Sequence, residues 1–203
     1  MDFNYKSETI FYKEKEHIRK ILKNNHHPNI ILYGMTGIGK TQLIHNVIKE
    51  NFGELNKVNN DKIIVESNNS CYYFNISIII DKDYFIKYIK DIIKSYDYYT
   101  DKLKYIIIDN YELISNNIQR FLKVFIEKSY QTTRFIIVTN KIDAIDYAIK
   151  SRCYLFRVSE ASRIEKYIYV KDYLNSKGLK FNNFLLKKDC GKYSINYVIN
   201  KHI

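Results

Sequence analysis

The chain has 203 residues, enough for one domain with a small appendage and for a core that needs no disulfide or metal. With 46% hydrophobic and 15% aromatic residues and a single proline, it excludes a disordered or fibrous chain, and no apolar run approaches the roughly 18 residues of a membrane span. A net charge of +11 favours anionic partners such as nucleic acid, although A/T-rich codons for Lys, Asn, Ile and Tyr would supply the same lysines without purpose.

The first predicted element is a helix over 8–25, where Ile10, Phe11, His17, Ile18, Ile21 and Leu22 recur at helical spacing before Asn24-Asn25 and Pro28. Ile30-Ile31-Leu32-Tyr33 is a short continuous apolar run, read as a buried parallel strand. A helix follows over Thr41 to Glu50. The polar stretch from Asn56 to Ser70 reads as a loop holding one strand, Ile63-Ile64-Val65. Next come a strand from Tyr72 to Ser77, a helix from Tyr84 to Lys94, and a strand at Tyr105-Ile106-Ile107-Ile108. A helix over Ile118 to Lys128, a strand at Phe135–Val138 and a strand from Tyr154 to Val158 complete the series. Strands alternating with helices predict an α/β fold, a parallel sheet covered by helices on both faces. Beyond Glu160 only helices are expected, near 161–176, 181–189 and 193–201, parted by Gly178 and Gly191. The expected division is a domain over 1–158 and a small helical lid over 159–203. Cys71, Cys153 and Cys190 stand alone, so neither a zinc knuckle nor a disulfide framework is implied. The N-terminus lacks the basic-then-apolar pattern of a secretory signal, and a soluble intracellular protein is expected.

Between the first strand and second helix, Gly34-Met35-Thr36-Gly37-Ile38-Gly39-Lys40-Thr41 satisfies G-x-x-x-x-G-K-[ST], the P-loop pattern, in its required context. Glycines let the backbone wrap phosphate oxygens, and the helix N-terminus adds partial positive charge. Lys40 is suited to the terminal phosphates and Thr41 to a magnesium ion. Asp109, closing the strand Tyr105–Ile108, stands where a water-mediated magnesium ligand belongs. ATP and Mg2+ are the expected cofactors.

These residues, with several others, resemble the small subunits of the replication factor C clamp loader, a branch of the AAA+ ATPases. Pro28-Asn29-Ile30-Ile31-Leu32-Tyr33-Gly34 resembles the family's approach to the phosphate loop. Gln119, Leu122 and Lys123 are similar to its Ala-Gln-x-Ala-Leu-Arg-Arg helix. Glu127-Lys128, Thr132-Thr133-Arg134-Phe135 and Ser151-Arg152-Cys153 extend the match, and Tyr73-Phe74-Asn75-Ile76-Ser77 resembles its Asn-x-Ser strand end. The resemblance implies that Asn140 is the sensor 1 residue, orienting water or sensing the terminal phosphate. It implies that Arg152 is an arginine finger acting on a neighbouring subunit's ATP. The implied partners are other clamp-loader subunits, a sliding clamp and primer–template DNA, with no membrane. Lys87, Lys90 and Lys94 read either as a solvated helix face or as a DNA-facing stripe. The codon bias fits an A+T-rich genome such as that of a large DNA virus, which would place the chain in the nucleus or at a cytoplasmic viral replication site.

The chain departs from the family at four points. Asn110 stands where a water-polarising glutamate is usual, and an amide is no base, so weak or absent hydrolysis is expected. Glu112, two residues on, is poorly placed to substitute. Gly191-Lys192-Tyr193-Ser194 offers Ser194 where a sensor 2 arginine is expected, and Val124 replaces one arginine of the pair. The sequence ends at Ile203, so the family's helical collar is expected to be absent. A different AAA+ machine, such as an initiator or helicase loader, and a non-catalytic nucleotide-binding scaffold are the alternative readings.

Overall fold

The computed structural model describes residues 11–24, 26–59, 61–95 and 102–202, apart from the side chain of Asn196. In chain order the elements are α1 (Tyr12–Leu22), β1 (Asn29–Tyr33), α2 (Lys40–Phe52), β2 (Asn56–Asn59), β3 (Ile64–Ser67), β4 (Cys71–Asn75) and α3 (Lys82–Lys94). They continue with β5 (Lys104–Asp109), α4 (Asn116–Lys128), β6 (Thr133–Thr139), α5 (Tyr147–Lys150), β7 (Cys153–Arg157), α6 (Arg163–Ser176), α7 (Asn183–Cys190) and α8 (Ile195–His202). Residues 8–10 and 25 of the first expected helix lie outside the described residues.

The seven strands run in the order β2-β3-β4-β5-β6-β1-β7. β4, β5, β6, β1 and β7 are parallel to their neighbours. The parallel sheet expected from the sequence is present, and β2 and β3 extend it with an antiparallel hairpin at the β4 edge. The polar stretch over 56–70 therefore holds two strands rather than one. β2 reads Asn-Lys-Val-Asn and is exposed throughout, so it has no apolar alternation to signal it. Its pairing from Asn56↔Ser67 to Asn59↔Ile64 makes it a strand.

The apolar runs feed both faces of the sheet, since successive side chains point to opposite sides. Ile31, Ile106, Ile108, Phe135 and Ile137 pack on one face with Phe85, Ile89 and Ile92 of α3 and Ile118, Leu122 and Ile126 of α4. Ile30, Leu32, Ile107, Ile136 and Val138 pack on the other with Ile18 and Leu22 of α1 and Leu43, Ile44, Val47 and Ile48 of α2. The buried residues recur every three or four positions along each helix, which lays them on one side. Arg134 of the Thr-Thr-Arg-Phe stretch is structural. Its guanidinium donates to the carbonyls of His27 (2.7 Å) and Tyr130, and it lies 4.0 Å above the Tyr130 ring. The Asn29 side chain accepts from the Phe135 amide at 2.8 Å, so the starts of β1 and β6 are tied together.

α6, α7 and α8 enclose a separate cluster of Val170, Leu174, Leu186, Cys190, Ile195 and Val198. Ser162 and Glu165 form a reciprocal capping box at the start of α6, and Asn182 caps α7 through the amides of Phe184 and Leu185. Lys166 of α6 pairs with Glu160 and donates to the Tyr193 carbonyl at 3.1 Å, anchoring the approach to α8. Among the described residues no helix is long and apolar enough to cross a membrane.

Ile136 is wholly buried between β5 and β1. Ile136→Ala should destabilise the fold by about 2–5 kcal/mol, read as a lower midpoint in urea unfolding with an unchanged slope.

Candidate nucleotide-binding site

The glycine loop links the carboxyl end of β1 to the start of α2. Gly37 (φ 79°) and Gly39 (φ 101°) adopt left-handed backbone, which suits glycine. Gly34 is needed for a different reason: a Cβ there would lie 2.5 Å from the Val158 carbonyl oxygen, just beyond β7. α2 opens at Lys40, so its first amides point into the loop. The Lys40 ammonium is buried and donates to the carbonyls of Gly34 (3.0 Å) and Met35 (2.7 Å) and to Asn140 Oδ1 (2.7 Å). Burial lowers its pKa, and the negative charges of Glu112 and Asp109 oppose that effect.

Asp109 reaches the same place because β5 runs parallel beside β6, with β1 next in the sheet. Its Oδ2 accepts from the Thr41 hydroxyl (2.8 Å) and the Tyr73 hydroxyl (2.7 Å), and its Oδ1 from the Asn110 amide (2.8 Å). Burial first, and the adjacent Asp109 charge second, push the Tyr73 hydroxyl well above its usual pKa, so it stays a donor. Thr41, Asp109, Lys40, Asn140 and the loop backbone line one cleft of about 310 Å³. Thr41 and Asp109 offer hard oxygen ligands side by side, and among the described residues no cluster of His, Cys, Asp and Glu could hold a metal alone. That donor set fits magnesium, which takes one or two protein oxygens and completes its shell with phosphate and water.

Asn110 follows Asp109 in left-handed backbone (φ 55°, ψ 42°), and its side-chain NH2 donates to Asn75 Oδ1 at 2.8 Å. Glu112 faces Asn140. Its Oε1 accepts from Asn140 Nδ2 (2.6 Å), and its Oε2 from the Asn140 amide (3.1 Å) and the Thr139 hydroxyl (2.8 Å). Burial acts to raise the Glu112 pKa, but these hydrogen bonds and a backbone one outweigh it and hold the carboxyl below its ordinary value.

The structure thus brings Gly34 to Thr41, Asp109 and Asn140 into one cleft, while Arg152 stands apart. Arg152 precedes β7, whose first residue pairs with Asn29 at the start of β1, whereas the glycine loop follows Tyr33 at its end. Four residue steps of strand put roughly 13 Å between those edges. The exposed Arg152 guanidinium contacts Glu127 (2.8 Å) and the Ala148 carbonyl (2.6 Å). Ser194, just before α8, lies over the loop: a Cβ on Gly37 would sit 3.6 Å from that of Ser194. Sequence reasoning missed Tyr73 and set Glu112 aside. The register of β4 on β5, Tyr73↔Ile107, places Tyr73 two positions from Asp109 on the neighbouring strand. Strand alternation was the one sequence signal that could have pointed there.

A parallel sheet with a glycine loop between its first strand and the following helix defines a P-loop NTPase fold. The chain belongs to the ATPase family associated with various cellular activities (AAA), whose model matches residues 30–160. It is 29% identical over 180 residues to a probable replication factor C subunit 5 of Dictyostelium discoideum, covering 86% of this chain and 49% of that protein. It is 27% identical over 170 residues to a putative replication factor C small subunit of Acanthamoeba polyphaga mimivirus, covering 81% and 46%. Replication factor C subunit 3 of Saccharomyces cerevisiae is 28% identical over 158 residues, covering 75% and 43%. The chain spans about half the length of these curated relatives. Among solved structures, a RuvB variant of Thermotoga maritima aligns with a TM-score of 0.67 at 13% identity, covering 93% of this chain and 58% of that one, and shares the fold.

Glu112 has a lower pKa folded than its ordinary 4.5, so the folded state resists its protonation. Its contribution to stability is complete above that ordinary value and is lost as pH falls through the lowered one. The melting temperature of the parent chain should therefore fall more steeply below pH 4.5 than that of Glu112→Gln, as read by calorimetry.

Proposed function

We propose that this chain is an ATP-binding subunit of a clamp-loader-like complex, which loads a sliding clamp on primed DNA. In this reading ATP and Mg2+ occupy the glycine-loop cleft, with Lys40 on the terminal phosphates and Thr41 and Asp109 at the metal. Residues 1–158 act as the nucleotide-binding domain and 159–203 as a helical lid over it. Partners are other clamp-loader subunits, the clamp and primer–template DNA, inside the cell. The likeness to replication factor C subunits supports the assignment, together with the match of the glycine loop, Asn140 and Ser-Arg-Cys.

Hydrolysis in the chain's own site is weak or absent. The observation that carries this is Asn110: an amide stands directly after Asp109, and its NH2 is tied to Asn75. Neither group accepts a proton from water at neutral pH. In this reading Arg152, which lies at the opposite edge of the sheet, serves a neighbour instead. There it would neutralise charge on a transferred phosphoryl group, leaving its contact with Glu127. A non-catalytic scaffold is the second reading, favoured by Asn110 and by the hydroxyl of Ser194 above the loop.

The isolated chain should bind ATP with magnesium, measured by calorimetry, and release almost no phosphate. Brisk turnover by the isolated chain would overturn the slow-site reading. In a complex reconstituted with its partner subunits, Arg152→Ala should lower ATP turnover about a thousandfold at the site it serves. Unchanged turnover there would remove the finger.

A further inference from the structure

Asn140 can serve a bound nucleotide in two opposite ways. Turned one way, its NH2 donates to a terminal phosphate oxygen. Turned the other, its carbonyl oxygen accepts from a water or from Lys40. We infer that Glu112 is a positioning residue that decides between these, holding Asn140 with its oxygen toward the phosphate loop. The inference rests on the nucleotide reading of that loop and goes beyond it by assigning which hydrogen bond Asn140 offers.

The contacts leave little freedom. An ionised carboxylate only accepts hydrogen bonds, so the Asn140 group 2.6 Å from Glu112 Oε1 must be the NH2. Its other end, Oδ1, then faces the Lys40 ammonium at 2.7 Å, which only donates. Both neighbours demand the same orientation. The Asn140 backbone amide and the Thr139 hydroxyl occupy Glu112 Oε2, so the carboxylate cannot swing away without losing two more donors. The same hydrogen bonds keep Glu112 ionised at neutral pH.

One consequence concerns nucleotide choice. An acceptor aimed at the loop cannot donate to a γ-phosphate, so Asn140 adds nothing to the preference for a triphosphate over a diphosphate. It can instead hold Lys40 or align a water. Glu112→Gln would reverse this. The fixed backbone N–H of Asn140 requires an oxygen in the place of Oε2, which puts the new amide nitrogen where Oε1 was. Two NH2 groups cannot face each other at hydrogen-bond distance, and a bound terminal phosphate draws the Lys40 ammonium away from Asn140 Oδ1, so in the nucleotide complex Asn140 turns and offers its NH2 to the phosphate.

The test is the ratio of ADP to ATP dissociation constants, with magnesium, measured by calorimetry on the whole chain. Glu112→Gln should raise the preference for ATP about tenfold, the worth of one hydrogen bond to a charged oxygen. Adding Asn140→Ala to that variant should abolish the gain. A merely structural role for Glu112 would weaken both nucleotides together and leave the ratio unchanged, and that result overturns the inference. A parent chain that binds neither nucleotide overturns both this inference and the nucleotide reading beneath it. Should Glu112→Gln not fold, NMR of the nitrogen-labelled parent chain decides. The Asn140 side-chain NH2 signals should be the same with ADP and ATP, and a shift specific to ATP would overturn the inference.

Discussion

Lys40 is a buried cation, and a charge taken out of water survives only among groups that replace the water. Two of its three acceptors are carbonyls of the glycine loop, and the third is Asn140, one hundred residues away. This ammonium therefore joins the first strand's loop to the end of β6. The loop curls back over it because Gly37 and Gly39 can take left-handed backbone. Asn140 meets it because Glu112 holds the other end of that amide. A change in any one of these groups is felt by the others, since Lys40, Asn140 and Glu112 are joined in one run of hydrogen bonds.

The parallel sheet sets the wider arrangement. Parallel strands place all their carboxyl ends on one edge, so β1, β5 and β6 deliver the glycine loop, Asp109 and Asn140 to one cleft without long connections. The same geometry sends the residues before β7 to the far edge. Arg152 is consequently set apart from its own chain's cleft by about the length of a strand.

One departure from the family pattern, Asn110, stands directly beside Asp109. Its carboxylate is supplied with three donors, from Thr41, Tyr73 and Asn110, while the adjacent side chain is a neutral amide turned to Asn75. The glycine loop, Lys40, Thr41 and Asp109 suit phosphate and metal, while the position after Asp109 carries an amide rather than a carboxylate.

Much of this was legible in the residue order. The phosphate loop is contiguous, so its glycines, Lys40 and Thr41 carry their pattern in eight consecutive positions. The buried strands are continuous apolar runs and the helices have clear three- and four-residue spacing, because both arise from short-range periodicity. β2 was not legible, since an exposed polar tetrapeptide becomes a strand only when β3 offers it a ladder. Nor were the partners of Tyr73 and Glu112. Tyr73 reads as one more aromatic in a strand until the register of β4 on β5 aims its hydroxyl at Asp109. Glu112 reads as a misplaced carboxylate until the turn after β5 sets it against Asn140. Sequence alone determined the class of fold and the phosphate loop, because local spacing carries both. Tertiary structure decided which side chains hold Asp109 and Asn140, because those contacts depend on strand register and turn direction across distant parts of the chain.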